Sequence, residues 1–163
     1  MTEQERAREL HRIVTTTAIY RKDGDSLKFL VIQRSMSEKV HPGKWSLIGG
    51  GLTTDDYANR PKDHGGNAWR NVVEISLERE KKEESGVIIG TPRYLHNFAF
   101  IRPDNIPVFV MVYYAPYISG EVKLDKKTQG YRWVTLAEAG KLNIIDGIYS
   151  ELEEISKIIK GEA

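Results

Sequence analysis

Apolar residues cluster in blocks separated by polar, turn-forming stretches. The first block, Ile13 to Tyr20, is rich in β-branched residues and predicts a strand. Leu27 to Gln33 (LKFLVIQ) predicts a second, joined to the first as a hairpin by the turn signal Lys22-Asp23-Gly24-Asp25. Residues 40–44, with Pro42 and Gly43, read as a loop. Trp45 to Ile48 is a short apolar run that ends in the triplet Gly49-Gly50-Gly51. Residues 52–66 are polar and rich in turn formers, and predict a further loop. The period then changes: Trp69, Val72, Val73 and Leu77 recur at helical spacing, which predicts a helix from Ala68 to Ser85 with Asn67 as N-cap and Gly86 as terminator. Arg93 to Ile101 and Val108 to Ala115 predict two apolar, aromatic strands, with a turn at residues 102–105, and Tyr131 to Val134 predicts a short last strand. Asp146 to Lys160 closes as an amphipathic helix with Ile148, Leu152, Ile155 and Ile159 on one face. Residues 1–11 read as a polar arm or short helix. Strands, one long helix, more strands and a final helix predict an α+β fold, a mixed sheet sandwiched between helices.

Length and composition narrow the class. The 163 residues suit one domain spanning 1–163. Apolar residues make up 40% and charged residues 29%, as in ordinary globular chains. A formal net charge of +1 gives no footprint for polymeric nucleic acid, but leaves room for a local site for a small anion. The chain has no cysteine, which excludes disulfides, thiolate metal sites and cysteine nucleophiles. The N-terminus MTEQERARELHR lacks the apolar core of a signal peptide, and no apolar run is long enough to span a membrane. The expectation is a cytoplasmic protein, as a monomer or possible homodimer.

The chemistry concentrates in Arg79-Glu80-Lys81-Lys82-Glu83-Glu84-Ser85-Gly86-Val87. On a helix Glu80, Glu83 and Glu84 stand at i, i+3 and i+4, so they share one face with neighbouring Cβ atoms ~5–6 Å apart. Mixed-sign runs of this kind usually form a solvated face. Here, however, Val73, Leu77, Glu80 and Glu84 follow a single spacing, so the acids border the apolar side. Adjacent carboxylates repel unless a cation compensates them, and a hard divalent ion with oxygen ligands, Mg²⁺ or Mn²⁺, suits this set. The glycine triplet after a strand lets backbone approach a ligand closely, which makes Gly50 and Gly51 candidate substrate contacts. Arg34, ending the second strand, and Lys44 are candidate phosphate ligands.

The stretch resembles the second half of the Nudix box, R-E-U-x-E-E-x-G-U, with Lys81 where the family prefers a bulky aliphatic residue. Trp45-Ser46-Leu47-Ile48-Gly49-Gly50 is similar to the strand and glycines that open that box, and Tyr131-Arg132-Trp133-Val134 to the strand before the family's last helix. The resemblance implies a Nudix-like α/β/α sandwich and metal-dependent hydrolysis of a nucleoside diphosphate linked to another moiety. It implies Glu80, Glu83 and Glu84 as metal ligands together with the Gly49 carbonyl, one of the glutamates as general base, and Arg79 as the group that orients Glu80. The complete box is G-x5-E-x7-R-E-U-x-E-E-x-G-U, and here it is interrupted. Arg79 lies 29 positions past Gly50, about 15 more than the box allows, which places an insertion at residues 52–66. Counted back from Arg79, the first box glutamate falls on Asn71, leaving Arg79 without its usual partner unless an acid of the insertion replaces it. Glu121 and Asp125 are candidates for a further late acid at the metal.

Other residues add little. His11, His41, His64 and His96 show no metal-ligand spacing, although His41 and His64 lie in loops near the glycines. Tyr20, Phe98, Phe100 and Tyr113 could stack on a base, but strand aromatics are mostly core, and the core is where they are expected. There is no Walker loop and no G-x-S-x-G elbow. Two alternatives remain: a non-catalytic Nudix-fold nucleotide-binding or regulatory domain, and an isoprenoid diphosphate isomerase, which the lack of cysteine disfavours.

Overall fold

The computed structural model describes residues 1–161; the last two residues of the 1–163 span lie outside it. The elements run α1 (Glu3–Glu9), β1 (Arg12–Asp23), β2 (Ser26–Arg34), β3 (Trp45–Ser46), β4 (Ile48–Gly51), α2 (Val72–Glu84), β5 (Ile88–Ile89), β6 (Arg93–Ile101), β7 (Pro107–Ser119), β8 (Thr128–Val134), α3 (Leu136–Ala139) and α4 (Ile148–Gly161). A short 3₁₀ turn, Thr54–Asp56, follows β4. The expected hairpin forms, with Asp23 opposite Ser26. The final strand is longer than expected, and β5 and α3 went unread. The polar arm is a helix because Thr2 and Glu5 close a reciprocal capping box.

The sheet is mixed. β7 lies parallel to β1, while β2, β4, β5 and β6 add antiparallel neighbours and β8 and β3 flank β2. β1 changes partner along its length: Tyr20 to Asp23 pair with β2, whereas Val14 to Thr17 pair with β4. The sheet therefore splits beside the glycine strand. One face packs on α4, where Leu152 and Ile155 are fully buried against Ala18, Phe29 and Val31. The other face carries Ile19, Leu30, Ile32, Ile48 and Val87 on the side of α2. This is the expected sandwich, and all four expected apolar positions of α4 are buried. No helix among the described residues is long and apolar enough to cross a membrane.

Helix α2 starts four residues later than its apolar spacing suggests. His64 and Ala68 form an isolated bridge across Gly65 and Gly66, both at positive φ, and the Asp63 carboxylate accepts the Arg70 backbone N–H at 2.8 Å. This tight turn holds residues 64–70 out of the helix. Asn71, in the left-handed region at φ 56°, is the capping residue, not Asn67. Trp69 consequently packs on Tyr57 at 5.2 Å between centroids and donates to the Arg60 carbonyl at 2.8 Å. The insertion is thus tied to itself in the manner of an Ω-loop. Gly86 ends α2 as expected, at φ 68° with its N–H on the Lys81 carbonyl.

Because Ile155 is fully buried between α4 and the sheet, Ile155→Ala should lower unfolding stability by about 2–5 kcal/mol. Urea titration should show a lower midpoint with little change in slope; a loss below about 1 kcal/mol would mean that α4 does not carry this core.

Candidate active site

Arg79 is at the centre of a charged cluster that joins three segments. Its Nε is hydrogen-bonded to Asp56 Oδ1, and its Nη2 donates to Asp56 Oδ2 at 3.2 Å and to the Gly51 carbonyl at 2.9 Å. Its Nη1 donates to Glu80 Oε1 at 2.6 Å and to Glu83 Oε2 at 3.1 Å. Asp56 is 5% exposed, at the end of the 3₁₀ turn, where the Thr53 backbone N–H also donates to Oδ2 at 2.9 Å. Burial pushes the Asp56 carboxyl pKa up, but the Arg79 hydrogen bond, the Thr53 N–H and the Arg79 charge outweigh it and leave the pKa below the ordinary value. Asp56 hydrogen bonding raises the Arg79 pKa against burial, with Glu80 adding to the rise.

Asp56 is thus the acid of residues 52–66 that partners Arg79; the backward count of the box from Arg79, which lands on Asn71, does not single it out. Counted forward, its first acid falls six positions after Gly50, on Asp56 itself. The insertion therefore occupies residues 57–71, after that acid, and does not begin at 52. Asn71 does not stand in for the box glutamate: it is exposed and makes no side-chain cap.

Glu80 is buried against the glycine strand. A Cβ on Gly50 would overlap its carboxylate, so only glycine admits the helix at this depth. Burial raises the Glu80 pKa, Arg79 lowers it by charge and hydrogen bond, and Glu83 raises it again. Glu84, half-buried, accepts the Gly49 backbone N–H at 3.0 Å. Its pKa is raised to about 8, by burial first, against the Gly49 hydrogen bond, with Glu80 and Asp125 adding to the rise. Of the two late acids, Asp125 is thus close enough for its charge to act on Glu84, while Glu121 is exposed beyond Gly86.

Glu84, Gly49 and Gly50 open onto a cavity of about 720 Å³ that reaches from the split in the sheet to α4. Arg34 lines it, held by its Nε on the Val40 carbonyl and by Glu38 at 3.4 Å. Lys44 and Gly51 do not line it; Gly51 instead gives its carbonyl to Arg79. His41 lines it and has a pKa lowered by burial, Lys44 and Arg34, whereas His64 meets Arg70 within the insertion. None of residues 52–71 lines this cavity. Arg12, Lys39 and Lys127, unremarked in the sequence, line it without a salt bridge among the described residues. Phe98 and Phe100 also line it and are partly exposed, contrary to the core placement expected of strand aromatics; Tyr20 and Tyr113 pack on Tyr114 and Tyr94.

The NUDIX domain model matches residues 10–152, most of the chain. The chain belongs to the Nudix family. Membership places it among hydrolases acting on pyrophosphate bonds. The fold is similar to that of the NUDIX domain of Shewanella oneidensis NrtR complexed with ADP ribose, at 17% identity and a TM-score of 0.72, covering 98% of this chain and 99% of that one. It is also similar to a C. elegans Ap4A hydrolase in a binary complex (21% identity, TM-score 0.67, 92% and 98% covered). The MutT protein of Methanosarcina mazei Go1 is comparable (22% identity, TM-score 0.67, 92% and 96% covered). Among curated proteins none matches the sequence. At these identities the structural neighbours speak for the fold.

Nudix hydrolases generally use a divalent metal. The donor set fits one: carboxylates and glycine carbonyls are hard oxygen ligands, and Glu84 is a sheltered carboxyl held toward protonation with no cationic hydrogen-bond partner. As placed, Glu80 and Glu83 both face the Arg79 guanidinium, and no three acids or histidines among the described residues already converge as a metal cluster. Glu83, more than half exposed, is free to turn.

Two outcomes follow from the Asp56–Arg79 pair. Asp56→Asn should cut kcat at least tenfold by loosening Arg79 and with it Glu80, and Gly50→Ala should do the same by displacing Glu80; steady-state kinetics check both, and wild-type rates would refute the positioning role. Because the Asp56 pKa is depressed on folding, its stabilisation is present above the unfolded-state value near 4 and is lost as pH falls through the lower folded value. The stability gap between wild type and Asp56→Asn should accordingly narrow as pH drops from about 5 toward 3.

Proposed function

We propose that this Nudix hydrolase cleaves the diphosphate linkage of a nucleoside diphosphate joined to another moiety, with Mg²⁺ or Mn²⁺ held by Glu80, Glu83, Glu84 and the Gly49 carbonyl. The observation that carries this reading is the shared cavity: Glu84 of the helix and the glycine strand open onto one space large enough for a nucleotide and lined by Arg34 and by Arg12, Lys39 and Lys127, the last three without a salt bridge among the described residues. One structural neighbour is complexed with ADP ribose and another is named an Ap4A hydrolase; both compounds are nucleosides joined through phosphoanhydrides to another moiety.

Bound there, the divalent ion would neutralise the diphosphate and lower the pKa of an attacking water. The chain's own groups supply the rest. Arg34, Lys127 and Arg12 line the cavity, and their charge would stabilise the negative charge that moves to the leaving group as the P–O bond breaks. Of the three glutamates Glu84 alone lines the cavity among the described residues, which supports it as the group that takes the water proton. Arg79, anchored on Asp56 and Gly51, holds Glu80 against the glycine strand and keeps like charges on one helix face compatible. Asp125 is the late acid that supports the site. The protein is read as cytoplasmic and acts on small molecules.

Four measurements test this. Glu84→Gln should abolish turnover while leaving the fold intact, and excess chelator should do the same to the wild type; full activity in either case refutes the site. Mg²⁺ should raise the melting temperature. Because the ion must displace the Glu84 proton, Mg²⁺ affinity should increase with pH up to about 8 and then level off, and a flat profile would remove Glu84 from the ligands. Hydrolysis in ¹⁸O-water should place label on one product phosphate only.

A further inference from the structure

Among the described residues, the buried acids are Asp56, Glu80 and Glu151. The first two belong to the Arg79 cluster, and Glu151 has no part in it. It stands in the first turn of α4, three residues after Ile148 and four before Ile155, on the stripe that packs against the sheet, and is 4% exposed. His96 on β6 donates from Nε2 to Glu151 Oε1 at 3.2 Å, and its Nδ1 lies 3.5 Å from Glu154. Glu151 Oε2 has no hydrogen-bond partner among the described residues. Burial pushes the Glu151 pKa up, the His96 hydrogen bond pulls it back, and the helix N-terminus favours the charged form.

That oxygen is not sealed in the protein but meets the cavity, where it can accept from a ligand donor. Glu151 lines the same cavity as Glu84 and the glycine strand. Near it the wall consists of Phe98 and Phe100, 41% and 37% exposed with ring centroids 6.3 Å apart, together with Val108 and Val110 from β7. Exposed aromatic faces stack on flat heterocycles of any sequence. A carboxylate accepts only from N–H and O–H groups and repels phosphate. Glu151 and the two rings thus offer an acceptor and a flat apolar surface that the Arg34 and Lys127 side of the cavity lacks, while Arg12 and Arg102 stand at the Phe100 end of the same wall.

We propose that Glu151, positioned by His96, determines specificity for the nucleoside half of the substrate. It accepts hydrogen bonds from that half, from amino or ring N–H groups on the base edge or from the ribose hydroxyls, while Phe98 and Phe100 carry the base. The assignment rests on the nucleotide hydrolase reading for the identity of the ligand.

The test compares ligands that differ by one donor: GMP with IMP, AMP with purine riboside monophosphate, and each with its 2′-deoxy form. Binding is measured by calorimetry, and kcat and KM are measured on the corresponding diphosphate-linked substrates. In the wild type, removal of the relevant donor should weaken binding about tenfold. In Glu151→Gln that ratio should fall to within about threefold of unity, through KM with kcat retained. A shift in the amino pairs assigns the base edge, and a shift in the 2′-deoxy pairs assigns the ribose. Wild-type ratios near unity in every pair, or ratios unchanged in Glu151→Gln, overturn the proposal. Should that variant not fold, the wild-type ratios decide together with Phe98→Ala, whose exposed side chain is expendable to the fold and whose loss should weaken nucleotide binding about fivefold or more. Donor-dependent binding without turnover would refute the hydrolase reading and leave this assignment standing; turnover with flat ratios would do the reverse.

Discussion

The site depends on how one guanidinium is shared. Glu80, Glu83 and Glu84 crowd one face of α2, and Glu80 is pressed into the protein against Gly50. Unopposed, such a cluster would repel itself and drive Glu80 toward protonation. Arg79 opposes it with a planar fork that reaches two of the glutamates, a carbonyl of the glycine strand and the buried Asp56. Lysine has no equivalent, since a point charge on a flexible stem cannot meet four groups in fixed directions. The fork also docks α2 on β4. The same contacts that make the carboxylates compatible therefore set how deeply the helix lies and where Glu84 meets the Gly49 N–H.

The cavity has a different origin, in strand pairing. β1 pairs with β2 over its second half and with β4 over its first, and β2 diverges from it toward the glycines. Helix α4 covers the sheet where Phe29, Val31 and Tyr114 lie, but leaves Phe98 and Phe100 partly uncovered beside Val108 and Val110. An uncovered apolar half-sheet next to a cluster of charges suits a ligand that is flat and apolar at one end and anionic at the other, as a nucleotide is.

Much of this was legible in the sequence. The long strands, α4 and its buried stripe followed from the apolar blocks and their periodicity, though not β5 or the full length of β8, and the R-E-x-x-E-E-x-G run placed the glutamates on one helix face. The start of α2 was not legible. Residues 68–71 continue the helical spacing, and the tight turn closed by the His64–Ala68 bridge and the Asp63 hydrogen bond to Arg70 stops the helix there. Asp56 was available to a forward count from Gly50. Glu151 was also available, because it falls on the apolar stripe between Ile148 and Ile155, where an acid needs a reason to be. Phe98 and Phe100 were legible as aromatics able to stack on a base, but not as uncovered ones: burial of a strand aromatic depends on whether another element covers that part of the sheet, and nothing local records where α4 ends its coverage.

The insertion shows why the box can be interrupted without losing its geometry. Lengthening a loop costs only about 0.6 kcal/mol per doubling, so fifteen extra residues are cheap if they do not strain their ends. Residues 57–71 leave from the 3₁₀ turn that holds Asp56 and return at Asn71, whose left-handed backbone redirects the chain into α2. Between these points Tyr57, Trp69 and the His64–Ala68 bridge close the loop on itself. The acid stays six residues behind Gly50 and the arginine stays in the helix, so their pairing spans the insertion without being stretched by it. Pairing across space thus preserves a constellation that spacing along the chain no longer shows.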